Sequence, residues 1–302
     1  MKILTPALVA MTLTVAACSG STSTVEPATS TRETETTNQE QETGTMTTTE
    51  LATATLDALF TDFDPEAAAA LLAPDYIQHN PGVPTGAPAV LEFIPALEES
   101  GISVTTHRII TDGDLVAMHN TYENADLFGA PTLVAFDVFR IEDGKVAEHW
   151  DNLQPPAEPN VSGRTLTDGP TEVTDLDATE ANKALVAEFA ETVLVGGDFA
   201  RITDFIAGGD AYLQHNPLFG DGLAALGAAF EDLAAQGNGI RYDTVHQIIG
   251  QGNFVLMLSE GAFGDAPTAY YDLFRLDEGQ IVEHWDVISE IPADMAHDNG
   301  KF

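Results

Sequence analysis

Apolar residues in the first part of the chain's folded region recur at the spacing of amphipathic helices. Asp64 stands directly before Pro65, where it can cap a helix that begins at the proline. A third stretch of this kind ends at Gly101. The pattern predicts helices over residues 51–60, 65–72 and 87–99.

After Gly101 the apolar residues alternate with polar ones, as they do in half-buried strands. Glycine and aspartate clusters separate four such stretches, which predict strands over residues 102–111, 115–124, 132–141 and 145–153. A short extended piece at 76–82 runs into a turn ahead of the third helix. Helices followed by an antiparallel meander predict an α+β fold, with helices covering one face of a curved sheet.

The same order of elements then occurs a second time. Helices are predicted over 178–195, 198–206 and 222–236, and four more strands lie between residues 240 and 288. The segment between the halves is rich in proline, glycine, threonine and aspartate, which is typical of a linker. We therefore predict two tandem α+β domains at 51–154 and 178–292, a linker at 155–177 and a tail at 293–302.

A repeated motif supports this duplication. Residues 137–151 and 272–286 are identical at eight of fifteen positions, and both copies end in Glu-His-Trp-Asp. Each is preceded by Gln-His-Asn-Pro, at 78–81 and 214–217. The spacing between the two motifs is nearly the same in both halves, so whatever the domain does is expected twice.

The turn inside the repeated motif decides which of its residues share a face. Asp143-Gly144 could form a two-residue turn, but the second copy would then place Glu278 at a positive φ angle, which glutamate accepts poorly. A three-residue loop needs positive φ only at glycine, and we expect it. It pairs residue 139 with 147 and 137 with 149. The expected pocket face is Asp137, Phe139, Ile141, Ala147, His149 and Asp151, and the expected back face is Val138, Arg140, Val146, Glu148 and Trp150.

The same loop predicts two structural roles on the back face. Arg140 and Glu148 would lie on neighbouring strands within reach of an ion pair. Trp150 and Trp285 would pack at a sheet-to-sheet or domain interface. Buried carboxyl groups on the opposite face would have a raised pKa, which suits acid–base chemistry.

The acidic composition excludes some partners. The chain has 48 aspartate and glutamate residues against 11 lysine and arginine residues, for a net charge of −37. Such a surface repels nucleic acids and anionic lipid headgroups.

The first residues predict export. Residues 1–17 have the short apolar run of a signal peptide, and Cys18, the only cysteine, follows Ala-Ala as in the lipobox of bacterial lipoproteins. The resemblance implies a lipid on Cys18 that anchors the exported protein to the membrane; the alternative is an ordinary signal peptide with an incidental cysteine. Residues 18–50, rich in Ser, Thr and Glu, predict a disordered tether.

The chain resembles the SnoaL-like polyketide cyclases, which belong to the nuclear transport factor 2-like group of cone-shaped α+β domains. The resemblance lies in the order of helices, the His-Asn-Pro turn and the Glu-His-Trp-Asp hairpin. The resemblance implies a blind apolar pocket in which an acidic residue abstracts a proton next to a carbonyl. Asp151 and Asp286 are then the first candidates for the base, with Asp137 and Asp272 as polarising donors and His149 and His284 beside them. It also implies no metal and no organic cofactor.

Further residues are candidates for substrate contact. They are His79, Asn80, Phe139, His215, Asn216 and Phe274, although the two histidines could equally hold the turn at the pocket rim. His107 and His246 are expected to be structural histidines of the sheet. The chain has no compact His-x-His or His-x-x-x-His cluster, so a metal site is not expected.

Three functions remain open at this point. The protein could be a cyclase or isomerase acting on a small apolar carbonyl compound, a module that binds a small hydrophobic molecule without turnover, or an assembly protein. In the last case its halves would form an intrachain pseudo-dimer or a homodimer with vestigial pockets.

Overall fold

The computed structural model describes residues 46–302, so the predicted signal peptide, Cys18 and nearly all of the predicted tether lie outside it. The first helix begins at Thr48, inside the range predicted as tether, because Thr47 and Glu50 form a capping box. The elements of the first half are α1 (Thr48–Phe60), α2 (Pro65–Leu71), β1 (Leu72–Gln78), α3 (Ala87–Ser100), β2 (Ser103–Asp112), β3 (Leu115–Glu123), β4 (Thr132–Glu142) and β5 (Lys145–Gln154).

The second half repeats this order with less regular helices. The predicted helix 198–206 is only a 3-10 turn, Phe199–Asp204, and a π-helical turn, Ala190–Val195, continues the preceding helix. The regular elements are α4 (Thr179–Phe189), β6 (Leu213–Gln214), α5 (Leu223–Ala235), β7 (Ile240–Gln251), β8 (Phe254–Phe263), β9 (Ala266–Asp277) and β10 (Gln280–Glu290).

Each half contains a five-stranded mixed sheet, with strand orders β1-β5-β4-β3-β2 and β6-β10-β9-β8-β7. The α+β class and the four-stranded meander are confirmed. The fifth strand was missed: β1 pairs parallel to β5, and β6 pairs parallel to β10. The pairing brings Gln78 beside His149 and Gln214 beside His284. The two repeated motifs of each half therefore meet at one edge of the sheet.

The hairpin turn differs from the prediction. Asp143 and Gly144 have φ angles of 51° and 73°, and Glu278 has a φ angle of 48°, so both copies use the two-residue turn. A bulge in β5 then shifts the register by one residue, and Asp137 pairs with Asp151 rather than with residue 149. The predicted loop was therefore wrong.

The faces nevertheless come out largely as predicted. The real register lies two residues from the predicted one, and a shift of two returns each side chain to the same face. Phe139 pairs with His149 on the helix-covered face. Val146 is the exception, because it lies before the bulge, pairs with Ile141 and packs in the same apolar cluster as Ile141.

The helices of each half cover one face of its sheet, and the opposite faces of the two sheets pack against each other. One apolar cluster contains Phe136, Val138 and Trp150 from the first half together with Leu256, Tyr271 and Trp285 from the second. The predicted interface position of both tryptophans is confirmed. The described residues, 46–302, consequently belong to one compact unit.

Hydrogen bonds and an ion pair also connect the two halves. Asn152, fully buried, donates from Nδ2 to the carbonyl oxygens of Ala269 and Val287 at 3.1 and 2.6 Å. At another point of contact, Asp112 accepts from the backbone N–H of Gly250 and forms an ion pair with Lys183. Within residues 46–302 we find no helix that is both long enough and apolar enough to cross a membrane.

The interface should make a large contribution to stability. Leu256 is fully buried in the shared cluster, so Leu256→Ala should lower the free energy of unfolding by about 2–5 kcal/mol, measured by urea denaturation. Leu127 is 51% exposed, and Leu127→Ala, the matched control, should change it by less than about 0.5 kcal/mol. Equal effects of the two changes would contradict this packing.

Candidate functional site

Each half has a cavity between its helices and its sheet. The first, of about 710 Å³, is mostly apolar in its lining, with Leu56, Leu59, Val90 and Phe93 among its walls. Apart from Thr55 on α1, its polar lining residues come from the sheet and from the turn that follows β1. They are Tyr76, Gln78, Asn80, Tyr122, Asp137, His149 and Asp151.

Asp137 is held by donors from the neighbouring strand. Its Oδ2 accepts hydrogen bonds from Asn120 Nδ2 at 2.7 Å and from the Tyr122 hydroxyl at 3.0 Å. Burial and the negative charge of Asp137 raise the pKa of Tyr122 well above its ordinary value, so this hydroxyl keeps its proton and can donate. The other oxygen, Oδ1, lies 3.2 Å from His149 Nε2.

The side chain of Gln78 fixes the proton on the far side of His149. Its Oε1 accepts from the backbone N–H groups of His79 and Asn80, both at 2.9 Å, and those groups can only donate. That oxygen also lies 3.0 Å from His149 Nδ1, so Nδ1 must carry a hydrogen. One further proton is then shared between His149 Nε2 and Asp137 Oδ1, on one atom or the other.

Asp151 has one occupied and one open oxygen. Oδ2 accepts from Asn80 Nδ2 at 2.5 Å, whereas Oδ1 has no hydrogen-bond partner among the described residues. Asp151 is 4% exposed and lines the cavity. An open carboxylate oxygen in a mostly apolar cavity is suited to accept a proton from a bound molecule.

The second cavity, of about 550 Å³, repeats this arrangement. His284 lies 2.9 Å from Asp272 Oδ1 through Nε2 and 3.1 Å from Gln214 Oε1 through Nδ1. Asn216 donates to Asp286 Oδ2 at 2.7 Å, and Asp286 Oδ1 again has no hydrogen-bond partner among the described residues.

The tyrosine that contacts the central aspartate comes from a different strand in the second half. Gly261 stands where Tyr122 stands in the first half, and Tyr242, its neighbour on β7, donates to Asp272 Oδ1 at 3.2 Å. Ser259 replaces Asn120 and contacts a backbone carbonyl instead. Asp272 Oδ2 is left without a hydrogen-bond partner among the described residues.

Protonation in the second cavity is tuned by burial and by neighbouring charge. Burial, followed by the charge of Asp272, raises the pKa of Asp286 to about 6. Burial disfavours a charged His284, but the hydrogen bond to Asp272 and the charges of both aspartates outweigh it and raise the pKa of His284 above its ordinary value. Asp286 can therefore change its protonation near pH 6, while the charged form of His284 is favoured by its two aspartate neighbours.

The predicted histidines outside the hairpin lie elsewhere. His79 and His215 are buried but do not line the cavities. Their Nε2 atoms lie 2.9 Å from Glu148 and Glu283, and their rings stack on Trp150 and Trp285 at the interface of the sheets.

The remaining predicted residues divide in a similar way. Asn80, Phe139 and Phe274 line the cavities, whereas Asn216 acts through Asp286. The predicted Arg140–Glu148 ion pair forms at 2.9 Å. His107 contacts Thr121 and His246 stacks on Phe302, as expected of sheet histidines.

Sequence reasoning missed several polar residues of the site. Tyr76 and Gln78, like Tyr212 and Gln214, belong to a repeated Tyr-x-Gln-His-Asn-Pro string, so a comparison of the two halves could have found them. Asn120 and Tyr122 could not be found this way, because the second half has serine and glycine at those positions.

Each cavity also has a set of groups that could hold a metal ion. The ligand atoms of Asp137, His149 and Asp151 lie within 4.8 Å of one another, and so do those of Asp272, His284 and Asp286. His149 and His284 already use their pocket-facing nitrogens in hydrogen bonds to aspartate. A metal ion bound through those nitrogens would have to replace these bonds.

One family model is similar to part of the first half. Residues 52–149 match the model of the SnoaL-like domain. A comparison with curated proteins gave no match.

Solved structures align with about one third of the chain. TsrD from Streptomyces laurentii is 25% identical over 35% of this chain and 87% of its own, with a TM-score of 0.30. IdmH from Streptomyces antibioticus is 21% identical over 36% and 93%, with a TM-score of 0.31. An NTF2-like protein from Cytophaga hutchinsonii is 18% identical over 37% and 95%, with a TM-score of 0.32.

The close approach of Tyr242 should depend on Gly261. A Cβ atom at this position would lie 1.8 Å from the carbonyl oxygen of Arg241, so Gly261→Ala should lower the free energy of unfolding by more than about 2 kcal/mol. Gly227 in α5 has nothing within 4 Å of such an atom, and Gly227→Ala should be neutral or stabilising by up to about 1 kcal/mol. Urea denaturation of both variants measures these changes. An unchanged free energy of unfolding in Gly261→Ala would contradict the predicted dependence on glycine.

The raised pKa of Asp286 should be visible in the pH dependence of stability. Its folded value, about 6, lies above the ordinary 3.8, so the folded protein holds a proton that the unfolded chain has released. The resulting stabilisation is lost as the pH rises through about 6. Between pH ~5 and ~7.5 the free energy of unfolding of the unmodified chain should fall by about 1.4 kcal/mol more than that of Asp286→Asn.

Urea denaturation at the two pH values measures this difference. Asp265 is exposed, so Asp265→Asn is the matched control and should follow the unmodified chain. An unchanged pH dependence in Asp286→Asn would contradict the assignment.

Proposed function

We propose that this protein, whose residues 52–149 match the SnoaL-like domain, is an acid–base catalyst of the cyclase or isomerase type. The observation that carries the proposal is the same in both halves. A buried carboxyl group with one open oxygen lies next to a histidine–aspartate pair in a mostly apolar cavity.

The geometry suggests a division of roles in the first cavity. Asp151 Oδ1 accepts a proton from the carbon next to a substrate carbonyl, so the C–H bond breaks, an O–H bond forms and the electron pair remains in the enolate. The proton shared by His149 and Asp137 lies where it can stabilise the enolate oxygen. In a cyclisation the enolate carbon then bonds to a second carbonyl carbon of the same molecule, the C=O π bond of that carbonyl breaks, and the new alkoxide oxygen takes the proton back from Asp151. In an isomerisation Asp151 instead returns the proton to another carbon of the enolate.

Hydrogen bonds to Asp137 support its part in this scheme. Asn120 and Tyr122 both donate to the oxygen that faces away from His149, which stabilises a negative charge on Asp137 once the shared proton has moved. In the second cavity His284, Asp272 and Asp286 have the corresponding roles, with Tyr242 as the donor.

The cavity walls favour a small and largely apolar substrate. Nearly all of the polar lining residues belong to the sheet side of the cavity, which would orient a single carbonyl group toward Asp151. The scheme needs neither a metal nor an organic cofactor. The surface charge of −37 opposes binding of nucleic acids.

We further propose that the protein works at the cell envelope. The support is confined to the sequence: an apolar segment at 1–17 and Cys18 after Ala-Ala, which resemble a lipoprotein signal. Lipid attachment at Cys18 would leave the domains on the tether of residues 18–50. Loss of membrane association in Cys18→Ser, with the domains still folded, is the expected result.

Binding without turnover is the second candidate. The predominance of apolar side chains in both cavities favours it, because a small hydrophobic molecule would be held whether or not a proton moves. Proton exchange on a ketone separates the two functions, since mere binding does not exchange protons.

The test uses 2-tetralone, a small ketone with exchangeable protons next to its carbonyl, dissolved in D2O and followed by proton NMR. The full chain should accelerate exchange, and Asp151→Asn combined with Asp286→Asn should reduce the protein-dependent rate by about 100-fold or more, because both bases are lost. Circular dichroism should show that the double variant remains folded.

Two controls accompany this experiment. Asp75 and Asp265 are exposed, so Asp75→Asn with Asp265→Asn makes the same change of charge away from the cavities and should leave the rate unchanged. Dialysis against a chelator should leave the rate unchanged too. Undiminished exchange in the Asp151/Asp286 variant would end the acid–base proposal.

A further inference from the structure

The segments that follow the last strand of each half are exchanged between the halves. After β5 the chain covers the Gln-His-Asn-Pro turn of the second half, where the Thr165 carbonyl oxygen lies 2.8 Å from His215 Nδ1. After β10 it covers the corresponding turn of the first half, where the Gly300 carbonyl oxygen lies 3.0 Å from His79 Nδ1. Each pocket is therefore backed by a segment belonging to the other half.

The two segments differ at the next residue. Lys301 follows Gly300, and Leu166 follows Thr165. Leu166 is buried in the apolar cluster between the sheets. Lys301, 5% exposed, donates from Nζ to the backbone oxygen of Asp151 at 2.6 Å, and the same Nζ lies 3.7 Å from Asp151 Oδ1.

Lys301 is the only lysine or arginine among the described residues that forms an ion pair with either candidate base. The other titratable groups near Asp151 are of the same kinds as those near Asp286. Around Asp151 they are Asp137, His149, Tyr76, Tyr122 and Tyr271, and around Asp286 they are Asp272, His284, His215, Tyr212 and Tyr242. The lysine is thus the principal difference in charge between the two pockets.

Because Lys301 is buried, its contact with Asp151 affects its charge. Taking an ammonium group out of water is costly, and burial lowers the pKa of Lys301, whereas the nearby Asp151 carboxylate opposes that shift. The Asp151 carboxylate therefore favours the charged form of the buried lysine. A neutral side chain at 301 would leave Asp151 among apolar and acidic neighbours, as Asp286 is.

We propose that Lys301 is a positioning residue for Asp151, supplied by the tail of the other half, which keeps the Asp151 carboxylate ionised and makes the two pockets chemically unequal. The first pocket then holds a base that is ready to accept a proton, and the second holds a carboxyl group that can also carry one. The use of this difference in catalysis rests on the proposed function. The charge difference itself does not.

The charge states can be measured without a substrate. In the full chain labelled with ¹³C at the aspartate side-chain carboxyl, signals of Asp151 and Asp286 are assigned with Asp151→Asn and Asp286→Asn and followed from pH ~3 to ~9. Asp151 should ionise at a lower pH than Asp286. Lys301→Gln, which keeps a hydrogen-bond donor but loses the charge, should move the Asp151 midpoint upward by about one to three pH units.

Two further variants serve as controls. Lys301→Arg keeps the charge and should leave the Asp151 midpoint in place, which a merely structural role of the lysine would not predict. Leu166→Lys supplies an ammonium group to the second pocket and should lower the midpoint of Asp286 while that of Asp151 stays.

The proposal is overturned if Asp151 ionises at or above the pH of Asp286 in the unmodified chain, a result that needs no variant to fold. It is also overturned if folded Lys301→Gln leaves the Asp151 midpoint unchanged. If Lys301→Gln shifts the Asp151 midpoint but the unmodified chain does not accelerate proton exchange on 2-tetralone, the role of Lys301 stands and the proposed catalytic function is rejected. The two failures are therefore distinguishable.

Discussion

The chemistry of each cavity depends on the side-chain amide of one glutamine, Gln78 in the first half and Gln214 in the second. The Oε1 atom of Gln78 accepts hydrogen bonds from two backbone N–H groups of the turn that follows it. These bonds fix the amide so that the same oxygen also faces His149 Nδ1. The histidine must then present its other nitrogen to Asp137. The parallel pairing of β1 with β5 places the glutamine there, so the short strand at the edge of the sheet determines where the protons lie.

Duplication has given one chain two versions of this arrangement. The second half keeps glutamine, histidine and both aspartates, but takes its tyrosine from β7 and has no counterpart to Asn120. The packed back faces bury Trp150 and Trp285, and stacking on them buries His79 and His215. The Gln-His-Asn-Pro turns therefore contact both regions: their histidines pack at the interface of the sheets, and their asparagines bond to the pocket aspartates.

Much of this could be predicted from the sequence, and the failures have physical reasons. Alternation of residues in the hairpin correctly separated Asp137 and His149 from Arg140 and Trp150, because an error of two residues in register leaves faces unchanged. The predicted turn was wrong, since the cost of a positive φ at Glu278 is offset by the long ladder of pairs between β9 and β10 that the turn connects. Contacts made by Lys301 lie 150 residues away along the chain and have no repeat partner, so no local pattern could reveal them.

The central claim is that each histidine carries a hydrogen on Nδ1 and shares its Nε2 proton with aspartate. A long-range ¹H–¹⁵N spectrum of the full chain at neutral pH measures this directly through the imidazole nitrogen shifts. His149 and His284 should both show a protonated Nδ1, and replacement of Gln78 by glutamate should perturb His149 alone. An Nδ1 without a hydrogen in either residue would contradict the proton arrangement on which the proposed chemistry rests.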